Sequence, residues 1–141
     1  MKKNVLSLFV MLFVVMSASA VFAAHDPTAD LDPEWSAAGQ SMDYTVTINN
    51  GGPDPIDEIR IIKNPAYTSF DCVDKSAEGW DLVEVANWFD GELGLTSMCW
   101  YYTLDPDNNI NDSNTETFEF SATVPQSGCD HQWKFETRDE E

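Results

Sequence analysis

The chain has 141 residues, with 7 Lys or Arg against 25 Asp or Glu and a formal net charge of −18. That length supports one ordinary domain, able to bury roughly two-thirds of its unfolded surface. So acidic a body argues against binding nucleic acid or anionic lipid, which need Lys and Arg, and fits a soluble extracellular protein that attracts cations.

Lys2 and Lys3 open the chain, and Val5 to Met16 is apolar apart from Ser7. Small residues follow at Ser17, Ala18, Ser19 and Ala20, then Val21-Phe22-Ala23-Ala24. This is the layout of a secretory signal peptide, expected over 1–23. Val5 to Ala24 is also long enough to cross a bilayer. The small residues at its end, and the absence of positive charge after it, favour cleavage. Loss of the segment removes Lys2 and Lys3, leaving 5 basic and 25 acidic side chains in 24–141. The expectation is one secreted or cell-surface domain over 24–141, with no membrane span after cleavage and no fold before about Thr28.

The rest of the chain alternates as strands do. Met42, Tyr44, Val46 and Ile48 alternate with Asp43, Thr45, Thr47 and Asn49, which is period two. Asn49 to Pro55 holds two Gly and two Pro and must turn. Ile56 to Lys63 is the next strand, with Ile59 and Ile61 inward and Glu58 and Arg60 outward. Tyr67 to Val73 is short and extended. Trp80 to Val85 is a weaker strand, and Leu82 to Asn87 could instead make a helical turn between Gly79 and Gly91. Trp88-Phe89 reads as part of a polar loop. Met98 to Leu104 is rich in aromatics. Phe118, Phe120, Ala122 and Val124 alternate with polar residues before Pro125, and Trp133 and Phe135 mark a last strand. About seven short strands with turns between them predict an all-β, antiparallel β-sandwich. Its expected core is Tyr44, Val46, Ile48, Ile59, Ile61, Trp80, Phe118, Phe120 and Val124.

Gly39-Gln40, Tyr44 to Gly51, Ile56 to Ile61 before Pro65, Gly79-Trp80 and Phe118 to Pro125 occur in an order that resembles prokaryotic cell-surface immunoglobulin-like modules. The resemblance covers about Asp32 to Pro125. It implies an Ig-like sandwich used for adhesion, spacing or assembly with other surface proteins or with itself, and no catalytic residues.

Three kinds of residue could carry chemistry. Asp105, Asp107, Asn109, Asn111 and Glu116 lie at positions 1, 3, 5, 7 and 12 of a twelve-residue run, the spacing of a loop that wraps calcium. Ile110 stands at position 6, where Gly normally permits the bend, and the flanking elements are strands. The plain alternative is a solvated turn, and Asn111-Asp112-Ser113 is in addition a glycosylation sequon. Among Cys72, Cys99 and Cys129, pairing is favoured in an oxidising compartment. Cys72 and Cys99 sit at strand-like positions and are the expected bridge. His25 and His131 suggest a small copper carrier, against the reading of two unrelated surface histidines. Finally, Trp88 and Trp100 are candidates to stack on sugar rings, since Trp100-Tyr101-Tyr102 places aromatics on both faces of one strand. Three functions stay open: a non-catalytic adhesion or assembly module, a carbohydrate-binding module, and a metal carrier.

Overall fold

The computed structural model describes residues 26–34, 37–126 and 133–138. The expected leader over 1–23, together with Trp35, His25, Cys129 and His131, lies outside the described residues. Eight strands form: β1 Pro27–Asp32, β2 Ser41–Asn50, β3 Glu58–Ile62, β4 Thr68–Cys72, β5 Asp81–Asp90, β6 Gly94–Tyr102, β7 Thr115–Thr123 and β8 Lys134–Arg138. They make two four-stranded sheets, ordered β1-β2-β7-β4 and β5-β6-β3-β8, with every pairing antiparallel.

The predicted alternation holds where it was clearest. From Tyr44 to Asn50 in β2 and from Phe118 to Ala122 in β7, every second residue is buried. Tyr44 stacks on Phe120, and Trp80 meets Phe118 edge-on. All nine expected core residues are buried, joined by Ile56, Tyr67, Cys99, Tyr101, Ile110 and Ala122. Cys72 and Cys99 are bonded, with their Cα atoms 5.8 Å apart. The bridge ties β4, an edge of one sheet, to β6 inside the other. Tyr101 makes a second tie. Its hydroxyl donates to the Val73 carbonyl oxygen at 2.8 Å, with that of Glu119 at 3.3 Å.

Three expectations are corrected. An additional strand, β1, precedes the first one expected; only Leu31 in it reaches the core, so no apolar alternation marks it. The stretch Leu82 to Asn87 is strand, not a helical turn. Trp88 and Phe89 belong to the same strand rather than to a loop, because β5 pairs with β6 again from Trp88 to Asp90. A register shift lies between Val85 and Trp88, and Asn87 has φ 59°. This bulge breaks the alternation that would have betrayed the strand, and bulges bend and twist the strand that carries them.

The turn after β2 is organised by Asn50, which is fully buried. Its Nδ2 donates to the carbonyl oxygens of Asp54 at 2.7 Å and Ile110 at 2.9 Å, and its Oδ1 accepts from the Gly52 amide. Ile56 and Ile110 form an isolated β-bridge beside it. The two long loops at this end of the sandwich are thus fastened together around one buried amide.

Candidate functional site

The outer face of the β5-β6-β3-β8 sheet carries the densest chemistry. Register places Arg60 opposite Trp100 on one side and opposite Glu136 on the other. The Arg60 guanidinium lies 5.3 Å from the Trp100 ring centre and 5.9 Å from that of Trp88, within cation–π range. Tyr102 packs beside Trp100 at 5.4 Å. Glu58 and Glu136 pair with Arg60 at 2.5 and 3.9 Å. The two tryptophans singled out from the sequence therefore do meet, with an arginine over both. Trp88 pairs with Thr96 on β6, yet reaches Arg60 on β3, so its indole leans across β6. Met98 and Ile62 alternate outward from Cys99 and Ile61 and are nonetheless buried. Trp88 and Trp100 are half-buried, not a bare platform. The Nε of Arg60 and the Nε1 of Trp100 have no hydrogen-bond partner among the described residues.

The end of the β5–β6 hairpin bends over the same face. Asp90 Oδ1 accepts from the amides of Glu92 and Leu93, closing the turn. Its Oδ2 accepts from Lys134 Nζ of β8, at the opposite edge of the sheet. The Lys134 hydrogen bond, helped by the two amides, holds the Asp90 carboxyl down at about 2. The same bond pushes the Lys134 ammonium above its ordinary range. Phe89 and Leu95, directly paired across the hairpin, are 73% and 62% exposed.

The predicted calcium ligands are only partly brought together. Asp107, Asn109 and Glu116 line one hollow of about 410 Å³, along with Glu78. Asp105 and Asn111 are not in that lining. The Asp105 carboxylate instead accepts from the Asp107 amide, capping the 3-10 turn Pro106–Asn108. Ile110 is buried in the core, so the loop folds around an apolar anchor at the position where a calcium loop has glycine. Glu116 pairs with Lys75 Nζ at 3.0 Å, and Lys75 also meets Glu78. Lys75 is 7% exposed and lies over the Phe118 ring. Burial lowers its pKa, but the bonds and charges of Glu78 and Glu116 outweigh burial and raise it on balance. This lysine's role was not legible in the sequence, because nothing in a lone Lys near acids distinguishes a buried one. Among the described residues no group of three or more His, Cys, Asp and Glu is placed to hold a metal ion.

Every Lys and Arg among the described residues is engaged within the chain. Arg60, Lys75, Lys134 and Arg138 pair with carboxylates. Lys63 donates to the Tyr67 carbonyl oxygen at 2.7 Å, and burial lowers its pKa. Apart from the exposed Arg138, these cations act as internal fasteners, and most of the outer surface of the described residues falls to acids, hydroxyls and a few apolar side chains.

None of the described helical segments is long and apolar enough to cross a membrane. No family model and no curated protein matches the chain, so its chemistry is read from its own geometry.

Proposed function

We propose that the chain is a non-catalytic module that works outside the cell in adhesion or extracellular assembly. The observation that carries this reading is the side of β5 left unpaired among the described residues, a ten-residue edge strand whose Phe89 lies opposite Leu95 of β6, both exposed. Large apolar side chains held in register at an exposed edge are a feature of surfaces that meet partners. The signal-like start of the chain, the immunoglobulin-like order of its strand motifs and the disulfide support the same address. The test is chemical cross-linking and size analysis of the natively secreted material. The expected result is a complex larger than one chain, reduced by Phe89→Ser with Leu95→Ser. A lone monomer in the medium and on the cell would end the reading.

A second reading, a carbohydrate-binding module, is favoured by the cluster of Trp88, Arg60, Trp100 and Tyr102. Indole faces stack on sugar rings, and the Arg60 and Glu136 side chains could bond their hydroxyls. Glycan-array binding that quenches tryptophan fluorescence, and is lost in Trp88→Ala, would favour it over the first.

A further inference from the structure

We propose that the free edge of β5, together with Phe89 and Leu95, takes up an extended segment of another protein in which Lys or Arg alternates with apolar residues. This rests on the assembly reading above and names the partner's chemistry. Three observations converge. First, among the described residues β5 pairs with β6 alone, so one side of its backbone meets no strand of theirs and can take another. Edge strands are commonly guarded by shortness, Pro, charges or bulges; the segment Asp81–Asp90 is long and has no Lys or Pro, and its guards are acidic side chains and one bulge. Its bulge divides the edge into two stretches, Asp81–Val85 and Trp88–Asp90.

Second, an apolar track runs beside that edge. Leu95, Ser97 and Cys99 alternate onto the face that looks toward β4. A hollow of about 200 Å³ opens there, lined by Phe70, Cys72, Val85, Ala86 and Met98 together with Glu84 and Ser97. Phe89 and Leu95 continue the track past the body of the sandwich. Cross-strand partners stand side by side, so one apolar side chain of a docked strand can rest on both.

Third, the charge selects the occupant. The edge and its surroundings bear Asp81, Glu84 and Glu92, while the cation nearest the hairpin end, Lys134, is already bonded to Asp90. Two copies joined by this edge would bring like carboxylates together, which is unfavourable. A basic segment meets the same carboxylates favourably. The exposed aromatic and leucine distinguish an apolar-anchored strand from a merely cationic chain.

The experiment is calorimetric titration of the purified protein with three synthetic peptides, one alternating Lys and Val, one Glu and Val, one Lys and Gly. Backbone amide exchange is followed in parallel. The Lys–Val peptide should bind, protect amides of β5, and weaken as salt is raised. The Glu–Val and Lys–Gly peptides should bind about tenfold more weakly or worse, since one buried apolar side chain accounts for at least that factor. Phe89→Ser with Leu95→Ser should lose a similar factor, whereas Leu104→Ser, another exposed apolar position, should bind as the parent does. Equal binding of Lys–Gly, equal loss in Leu104→Ser, or no binding of Lys–Val would overturn the proposal. So would a concentration-dependent dimer abolished by the double substitution, which would make a second copy the occupant. Peptide binding at β5 by a protein that is otherwise a lone secreted monomer would sink the assembly reading and leave this edge intact.

Discussion

Lys134 Nζ stands 2.8 Å from Asp90 Oδ2, although the two residues belong to strands at opposite edges of one sheet. The bond fixes the β5–β6 hairpin end across the outer face, beside the Trp88–Arg60–Trp100 cluster. A carboxyl held at about 2, below its ordinary 3.8, takes up its proton more readily in the unfolded chain. Its contribution is complete above the unfolded value and is lost as pH falls toward 2. Urea unfolding of the parent and of Asp90→Asn should therefore differ most above about pH 4 and converge near pH 2. Lys134 stays charged throughout that window and adds no slope of its own. A constant difference at every pH would mean that the Asp90 carboxylate does not gain from Lys134.

Two ties join the sheets a few residues apart, the Cys72–Cys99 bond and the Tyr101 hydroxyl. The bridge closes a loop of 27 residues in the unfolded chain. Replacing both cysteines by Ala should cost about 3–4 kcal/mol by loop entropy. Tyr101→Phe should cost about 0.5–1.5 kcal/mol for its hydrogen bond. Burial raises the Tyr101 pKa, so the phenol should resist ionisation in spectrophotometric titration until the protein unfolds. Ionisation in the ordinary tyrosine range would contradict its burial.

Legibility followed the strength of the alternation. Strands β2 and β7 each put apolar residues on one face and polar ones on the other, so their extent and core residues could be read directly. Strand β5 could not, because its bulge shifts the phase midway and Trp88 serves the outer face. Strand β1 is carried by backbone pairing with only Leu31 reaching the core, which leaves no pattern to find. The acidic loop was legible as a spacing of oxygen atoms but not as a geometry. Ile110 already hinted at the difference, since a buried isoleucine turns the middle of the loop inward. Trp88 could be named from what read as a polar loop and Trp100 from the aromatics on both faces of its strand, but the arginine over both rings depends on register across three strands.

Phe120 gives the sharpest test of the core. It is buried and touches Tyr44, Phe70 and Trp133, with ring centres 4.7 to 5.8 Å apart. Phe120→Ala should cost about 3–5 kcal/mol, from lost transfer energy plus the cavity left behind. Its outward neighbour Glu119 serves as the control, and Glu119→Ala should change stability by under about 0.5 kcal/mol. Equal effects at the two positions would reverse the assignment of faces in β7.

Lys75 answers the question of divalent cations. Its ammonium lies between Glu78 and Glu116. Both carboxylates line the same hollow as Asp107 and Asn109, and Asn109 Oδ1 accepts no hydrogen bond among the described residues. Lys75→Met keeps an apolar stem over Phe118 and removes the charge. Three carboxylates then line one hollow with no cation among them; they are not placed as a metal site in the parent, but without Lys75 they can turn toward a Ca²⁺, which prefers hard oxygen donors. Melting should be followed for parent and variant in EDTA, Mg²⁺, Ca²⁺ and NaCl of matched ionic strength. Ca²⁺ should raise the variant's melting temperature beyond NaCl, and by more than it raises the parent's, where Lys75 already serves Glu116. At about 100 times its dissociation constant, an ion bound only by the folded state adds about 2.7 kcal/mol, or several degrees. Adding Glu116→Gln to the variant should remove most of the gain. An equal rise in every salt, in parent and variant alike, would reduce the effect to screening of an acidic surface and leave Asp105 to Glu116 as a turn anchored by Ile110.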